Sequence, residues 1–327
     1  MPCLTTEING STSAEQPVQY GVPQDSVLGP LLFIVLINDL STGVDGSVLM
    51  FADDTTLLSR GRDHGGLLSE QKSAFDQAKL WFQSNRLQLN EHKTQLLLCS
   101  LGKMEVDEAA GPVKLLGFSL DRELSWGSHV DMISRRLSRV LYLLRKLRGV
   151  LSRSYLLVVY HALFHSHINY GLLLWGHVSG CERLLLLQKA AVRIITGSGH
   201  LEHCRPLFRS LGILTIVSHY ILLSLVHVKT NEDSFVTREA IHHHNVRSRR
   251  NIDIPRRRLV RTLRHFPDLA LRMFNRLPRR VRLLRRTRFE CVLVRWLKDM
   301  AFYSVNVLFA NWLVSLLAIA PQFKFMI

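Results

Sequence analysis

The sequence predicts an α+β protein, with a strand-bearing first part and an all-helical continuation. Three observations lead there. Val48-Leu49-Met50-Phe51-Ala52-Asp53-Asp54-Thr55-Thr56-Leu57-Leu58 has two apolar, β-prone arms around adjacent carboxylates, the pattern of buried strands joined by a tight turn at Asp53-Asp54. Val113 to Leu120 alternates weakly and meets a turn at Asp121-Arg122. From Ser128 onward, apolar residues recur at helical spacing.

The elements follow in order. Met1 to Tyr20 is a polar leader, in which Glu7 to Ser13 reads as a strand end and a turn around Asn9-Gly10. Ser26 offers a helix cap and Pro30 suits a first helical turn. Leu31 to Leu40 is an apolar run that predicts a buried helix. Gly61 to Gly66 reads as a loop, and Leu67 to Trp81 as an amphipathic helix with Leu68, Phe75, Ala78 and Phe82 along one side. The next helix carries Val130, Ile133, Leu137, Val140 or Leu141, and Leu144 as its apolar stripe, against a basic face of Arg135, Arg136, Arg139, Arg145 and Lys146. Ser152 is placed to cap a second helix with Leu156, Val159, Tyr160 and Leu163 inward. A third spans Cys181 to Thr196, with Leu187, Ala190, Ala191, Ile194 and Ile195 packing inward and Arg183, Lys189 and Arg193 outward. Phe302 to Ala320 is uncharged, long enough to cross a bilayer, yet holds Asn306 and Asn311, which lipid disfavours. Membrane anchoring is therefore the lesser reading of this hydrophobic tail.

Composition narrows the class. The chain has 327 residues and 47% hydrophobic content, enough for two or three domains and a sizeable core. Five isolated cysteines lack CxxC spacing, which implies neither a disulfide framework nor a zinc ribbon and fits the cytosol or nucleus. No basic-then-apolar signal opens the chain. Of the net charge of +16, about +14 falls between Arg247 and Met300, where 17 Arg and one Lys face four carboxylates. Arg suits phosphate, so nucleic acid is the first candidate partner. His200, His203 and Cys204, and separately His242 to His244, lack a full tetrahedral ligand pattern.

Gly21-Val22-Pro23-Gln24-Asp25-Ser26-Val27-Leu28-Gly29-Pro30-Leu31-Leu32-Phe33, then Ile37-Asn38-Asp39-Leu40, then Phe51-Ala52-Asp53-Asp54 resemble the reverse transcriptase of non-LTR, jockey-like retrotransposons. Further blocks of this kind are Leu89-Asn90 with Lys93-Thr94, Lys114 to Gly117, Leu187 to Ala190, Arg193 to Gly197, Cys204 to Phe208 and Phe302 to Val305. The resemblance implies part of a right-hand polymerase palm over 21–122, a helical thumb and post-thumb region over 123–230, an Arg-rich region over 231–301 and a tail over 302–327. It implies RNA-directed DNA synthesis by two metal ions, with Mg²⁺ or Mn²⁺ on Asp53 and Asp54. By the same likeness, Lys93 protonates the leaving pyrophosphate, and Gln24, Asp25, Ser26 and Phe51 border the nucleotide and template. Leu116 and Gly117 form the primer grip, while Arg135, Arg136 and Arg139 contact primer–template. Arg256, Arg257 and Arg258 extend the phosphate contacts.

Two departures bear on activity. Asp25 stands where the family has Gly, so its charge faces a triphosphate unless it turns to solvent. The family's first catalytic Asp lies upstream of the matched blocks, and neither Glu7 nor Glu15 sits in a comparable strand. The expectation is a fragment inactive alone, acting on an RNA or DNA primer–template or with a full-length element protein. The alternative is a non-enzymatic, Arg-rich nucleic-acid-binding protein. The plain alternatives for the residues stay open too: an Asp-Asp turn facing water, and a solvated Lys93.

Overall fold

The computed structural model describes residues 3–17, 26–100, 111–241, 249–257 and 265–307. Gln24, Asp25, Arg258, His242 to His244 and the tail beyond Val307 lie outside the described residues. The chain divides into two compact units, Met1–Gln95 and Leu96–Ile327. The architecture is mixed: small antiparallel two-stranded sheets and many helices.

In the first unit, β1 (Cys3–Leu4) pairs with β4 (Gln16–Pro17), and β2 (Glu7–Ile8) with β3 (Ser11–Thr12). Asn9 and Gly10 close the β2–β3 turn at positive φ, as an Asn-Gly hairpin turn requires. Helix α1 (Gly29–Ile37) has Pro30 in its first turn, and the Gly29 amide donates to Ser26 Oγ at 3.0 Å. Contrary to the expected buried helix, Leu31, Leu32, Ile34 and Leu36 are exposed, and Val35 is 67% exposed. The helix is apolar all round, but the core beneath it is small and takes only Phe33 and Ile37, one turn apart. That core is Ile37, Leu40, Val44, Ala74 and Ala78, lined by Val48, Met50, Leu57, Trp81 and Phe82.

Strands β5 (Ser47–Phe51) and β6 (Asp54–Leu58) form a hairpin over this core. Helix α2 (His64–Ser84) starts three residues before the predicted position because Asp63 caps it, accepting from the Gly66 amide at 2.7 Å. Asp45 and Gln77 exchange two hydrogen bonds of 2.7 and 2.8 Å and tie the approach to β5 onto α2.

The second unit opens with β7 (Val113–Leu115) and β8 (Phe118–Leu120), packed on α3 (Gly127–Leu147). In space this hairpin belongs with the helices, although the sequence grouped it with the preceding strands. Helix α3 buries Val130, Ile133, Leu137, Val140, Leu141 and Leu144, the predicted stripe, together with His129 and Ser134. The second helix runs α4 (Arg153–Val159), a π-helical stretch Tyr160–His165, then α5 (Ser166–Asn169). Its buried residues step by four through Leu156, Tyr160, Phe164 and Ile168, and Leu163 turns outward. The wider π turn accounts for that rotation. After the short α6 (Leu172–Trp175), α7 (Cys181–Thr196) buries Leu184, Leu185, Gln188, Ala191, Val192 and Ile195. Its inward face is thus rotated from the predicted one. Buried Gln188 makes this possible: its amide donates to Tyr160 Oη (2.8 Å) and Leu214 O (2.9 Å), and its carbonyl accepts from Ile216 N (2.8 Å).

Helices α8 (Cys204–Leu211) and α9 (Ile216–Thr230), a short α10 (Arg238–Ile241), α11 (Asp268–Arg276), α12 (Arg279–Arg282) and α13 (Arg286–Met300) complete the unit. Thr215 caps α9 and donates to Phe302 O, while the Phe302 amide donates to Ser218 Oγ at 3.1 Å. The start of the hydrophobic tail is therefore core. Among the described residues no single helix is long and apolar enough to cross a membrane.

Candidate metal and nucleic-acid site

The β5–β6 register pairs Phe51 with Asp54, so the tight turn is Ala52-Asp53 and Asp54 is already a strand residue. This corrects the expected Asp53-Asp54 turn by one position. Ala52 takes φ +51°, a left-handed value that a non-glycine residue adopts only where its neighbours fix it. Both carboxylates are exposed, and neither makes an ion pair or hydrogen bond among the described residues. The arms are half-buried rather than buried. Val48, Met50 and Leu57 face the core, whereas Leu49 is exposed and Phe51 is 66% exposed beside the carboxylates.

Lys93 closes a 3₁₀ turn, Glu91–Lys93, capped by Asn90, whose Oδ1 accepts from the Lys93 amide at 3.3 Å. Its side chain is exposed and makes no bond to Asp53 or Asp54. Ser26 is spent on the Gly29 amide. Among the described residues no group of three His, Cys, Asp or Glu side chains could hold a metal ion.

In the second unit, Leu116 (φ +47°) and Gly117 (φ +80°) form the turn between β7 and β8. Both values are positive, as a two-residue turn of a twisted hairpin demands. Tyr170 holds this turn, donating its hydroxyl to Leu116 O at 2.5 Å, and its ring stacks on Phe118 with centroids 4.9 Å apart. Gly171 permits the stack, since a Cβ there would lie 2.3 Å from Phe118. Beneath the hairpin, buried His129 accepts from the Ser119 amide at 3.4 Å through Nδ1. Burial, and then the charge of Arg136, lower its pKa to about 4, so the imidazole is neutral. Sequence reasoning missed Tyr170 and His129. The Ser-Trp-Gly-Ser-His run that leads into α3 was the signal for the latter, and nothing local marked the former.

Arg135, Arg136 and Arg139 stand exposed on α3. Arg135 and Arg139 line a cleft of about 500 Å³ with Ser134, Ser138 and Arg183, which α7 contributes. Asp131 lies in the same cleft and pairs with Arg183 at 2.6 Å, so among the described residues Arg135 and Arg139 are its cations without a carboxylate partner. Arg256 is exposed. Arg257 is engaged with buried Asp268, Nε to Oδ2 at 2.9 Å, a fold contact rather than a free phosphate donor.

Paired acidic oxygens at a hairpin tip and exposed arginines on helices suit a protein that handles phosphates with a divalent cation. Residues 1–120 match the family model "Reverse transcriptase (RNA-dependent DNA polymerase)". The chain is 28% identical over 233 residues to the probable RNA-directed DNA polymerase from transposon X-element of Drosophila melanogaster, covering 65% of this chain and 26% of the relative. It is 25% identical over 229 residues to the RNA-directed DNA polymerase from mobile element jockey of the same organism, covering 63% and 25%. A probable RNA-directed DNA polymerase from transposon BS, also of that organism, is 25% identical over 234 residues, covering 64% and 26%. No solved structure gives a significant match. The chain is therefore similar to reverse transcriptases of non-LTR mobile elements, with the family match confined to residues 1–120, and it spans about a quarter of the length of these curated relatives.

Proposed function

We propose that the chain carries part of a right-hand polymerase for RNA-directed DNA synthesis. Residues 21–122 serve as a partial palm, 123–230 as a thumb-like region and 231–301 as an Arg-rich nucleic-acid-binding region. The observation that carries this reading is the hairpin tip, where exposed Asp53 and Asp54 stand adjacent without a basic partner among the described residues. Hard carboxylate oxygens fit Mg²⁺ or Mn²⁺, and a cation relieves their mutual repulsion. Bound there, the metal would neutralise nucleotide phosphates and lower the pKa of a primer hydroxyl.

The chain's own residues do the remainder. Strands β5 and β6 fix the carboxylates, and Lys93 supplies a proton toward the leaving pyrophosphate. Gln24, Asp25, Ser26 and Phe51 border the nucleotide and template. The positive-φ turn at Leu116 and Gly117, held by Tyr170, serves as the primer grip, and Arg135, Arg136 and Arg139 hold phosphates. No third His, Cys, Asp or Glu joins the pair among the described residues. The chain alone is expected not to polymerise, with a full-length element protein as a proposed partner.

The test is primer extension on an RNA template with Mg²⁺ or Mn²⁺, beside a chain with Asp53→Asn and Asp54→Asn. Both proteins are expected to bind the primer–template, and neither to incorporate nucleotide. Incorporation lost in the double variant would contradict the incomplete site. Failure to bind primer–template would contradict the polymerase reading itself. The non-enzymatic, nucleic-acid-binding reading is favoured by the exposure of Arg272, Arg279, Arg280, Arg285, Arg286, Arg288 and Arg295 on α11 to α13.

A further inference from the structure

Four stretches that carry the family likeness without a role in the account above meet at one place in the second unit. They are the blocks of Lys189, Arg193, Cys204-Arg205 and Tyr303. Lys189 Nζ lies 4.0 Å from the centre of the Tyr303 ring, and the Arg205 guanidinium carbon 4.8 Å from it. Arg193 stands one turn beyond Lys189 on α7, and its charge acts on both Tyr303 and Cys204. All three cations are half-buried, and none has a carboxylate partner among the described residues. Glu202 offers Arg193 only its backbone carbonyl, at 2.8 and 3.1 Å.

Like charges gathered at a partly buried spot repel one another, and helix α8 adds to the imbalance. Its first turn has neither an acidic residue nor a side-chain cap. Two donors in the cluster, Arg205 Nε and Tyr303 Oη, are buried without a hydrogen-bond partner among the described residues. Cation–π contact explains why Lys189 and Arg205 flank the ring. It leaves both of those donors, and the missing counter-charge, unexplained.

We propose that Lys189, Arg193, Arg205 and the Tyr303 hydroxyl form a phosphate-binding site. The phosphate belongs either to a nucleic-acid backbone or to a free phosphoryl compound. Its three cations supply charge and the two idle donors supply direction. None of these residues belongs to the Asp53–Asp54 hairpin, so the site does not depend on polymerase chemistry.

The test uses the full chain with Lys189→Gln, Arg205→Gln or Tyr303→Phe, each shown to be folded by circular dichroism and melting temperature. Tyr303→Phe keeps the ring and its cation contacts and removes only the hydroxyl, so it separates binding from packing. The probes are pyrophosphate, read by thermal shift, and a labelled single-stranded 20-mer, read over a salt series. Stabilisation by pyrophosphate that the variants lose would assign a free phosphoryl ligand. Weaker binding confined to the 20-mer, with a log–log salt slope flatter by about 0.7 where Lys189 or Arg205 is lost and unchanged in Tyr303→Phe, would assign a backbone phosphate. Folded variants that bind both probes as the native chain does would overturn the site. Asp53→Asn with Asp54→Asn is expected to leave both readouts unchanged, which keeps this test separate from that of the hairpin.

Discussion

Burial sorts residues of one type into different work. Asp268 is buried and spent on Arg257, whereas Asp53 and Asp54 stand in solvent without a counter-charge among the described residues. His129, His177 and His219 are each driven by burial to a pKa of about 4. Their folded values lie below the unfolded value near 6.5, so the unfolded chain binds more protons as the pH falls. The stability they contribute is full above about pH 6.5 and is lost progressively as the pH falls toward 4. Urea unfolding measured between pH 7 and 5 should show this acid loss, and His129→Gln should reduce its slope. A stability that does not change over that window would contradict neutral buried histidines.

At the scale of elements, the β7–β8 hairpin owes its turn to a residue outside it. Tyr170→Phe removes the bond to Leu116 O and should cost about 1 kcal/mol. It should also speed amide exchange at Leu116 and Gly117 without affecting α3; unchanged exchange would show that the turn holds itself. Legibility followed amphipathicity. Helix α3 has charged residues between its apolar ones, and its stripe was read residue by residue. Helix α7 carries four consecutive leucines, Leu184 to Leu187, which fit more than one face, and the buried Gln188 that decides among them reads as polar. For α1, uniform apolarity predicted burial, but the small core beneath it covers only one side. The Asp pair was legible as the tip of a hairpin, while its register was not. Pairing Phe51 with Asp54 is set by where the two strands meet, which adjacent turn-forming residues do not specify.

At the scale of the molecule, acidic and basic chemistry are divided between two units. The first presents Asp53 and Asp54, and the second carries the basic face of α3 and the arginines of α11 to α13. The family match over residues 1–120 spans the whole first unit and ends at the β7–β8 hairpin. Similarity to the transposon polymerases extends over about 65% of the chain, so the helices share in it. The central claim is that the hairpin tip binds a divalent cation. Its most direct test is paramagnetic broadening of backbone amide resonances during Mn²⁺ titration of the full chain. The account predicts broadening centred on Ala52 to Thr55 and abolished by Asp53→Asn with Asp54→Asn. Broadening that is centred elsewhere, or that persists unchanged in the double variant, would contradict it.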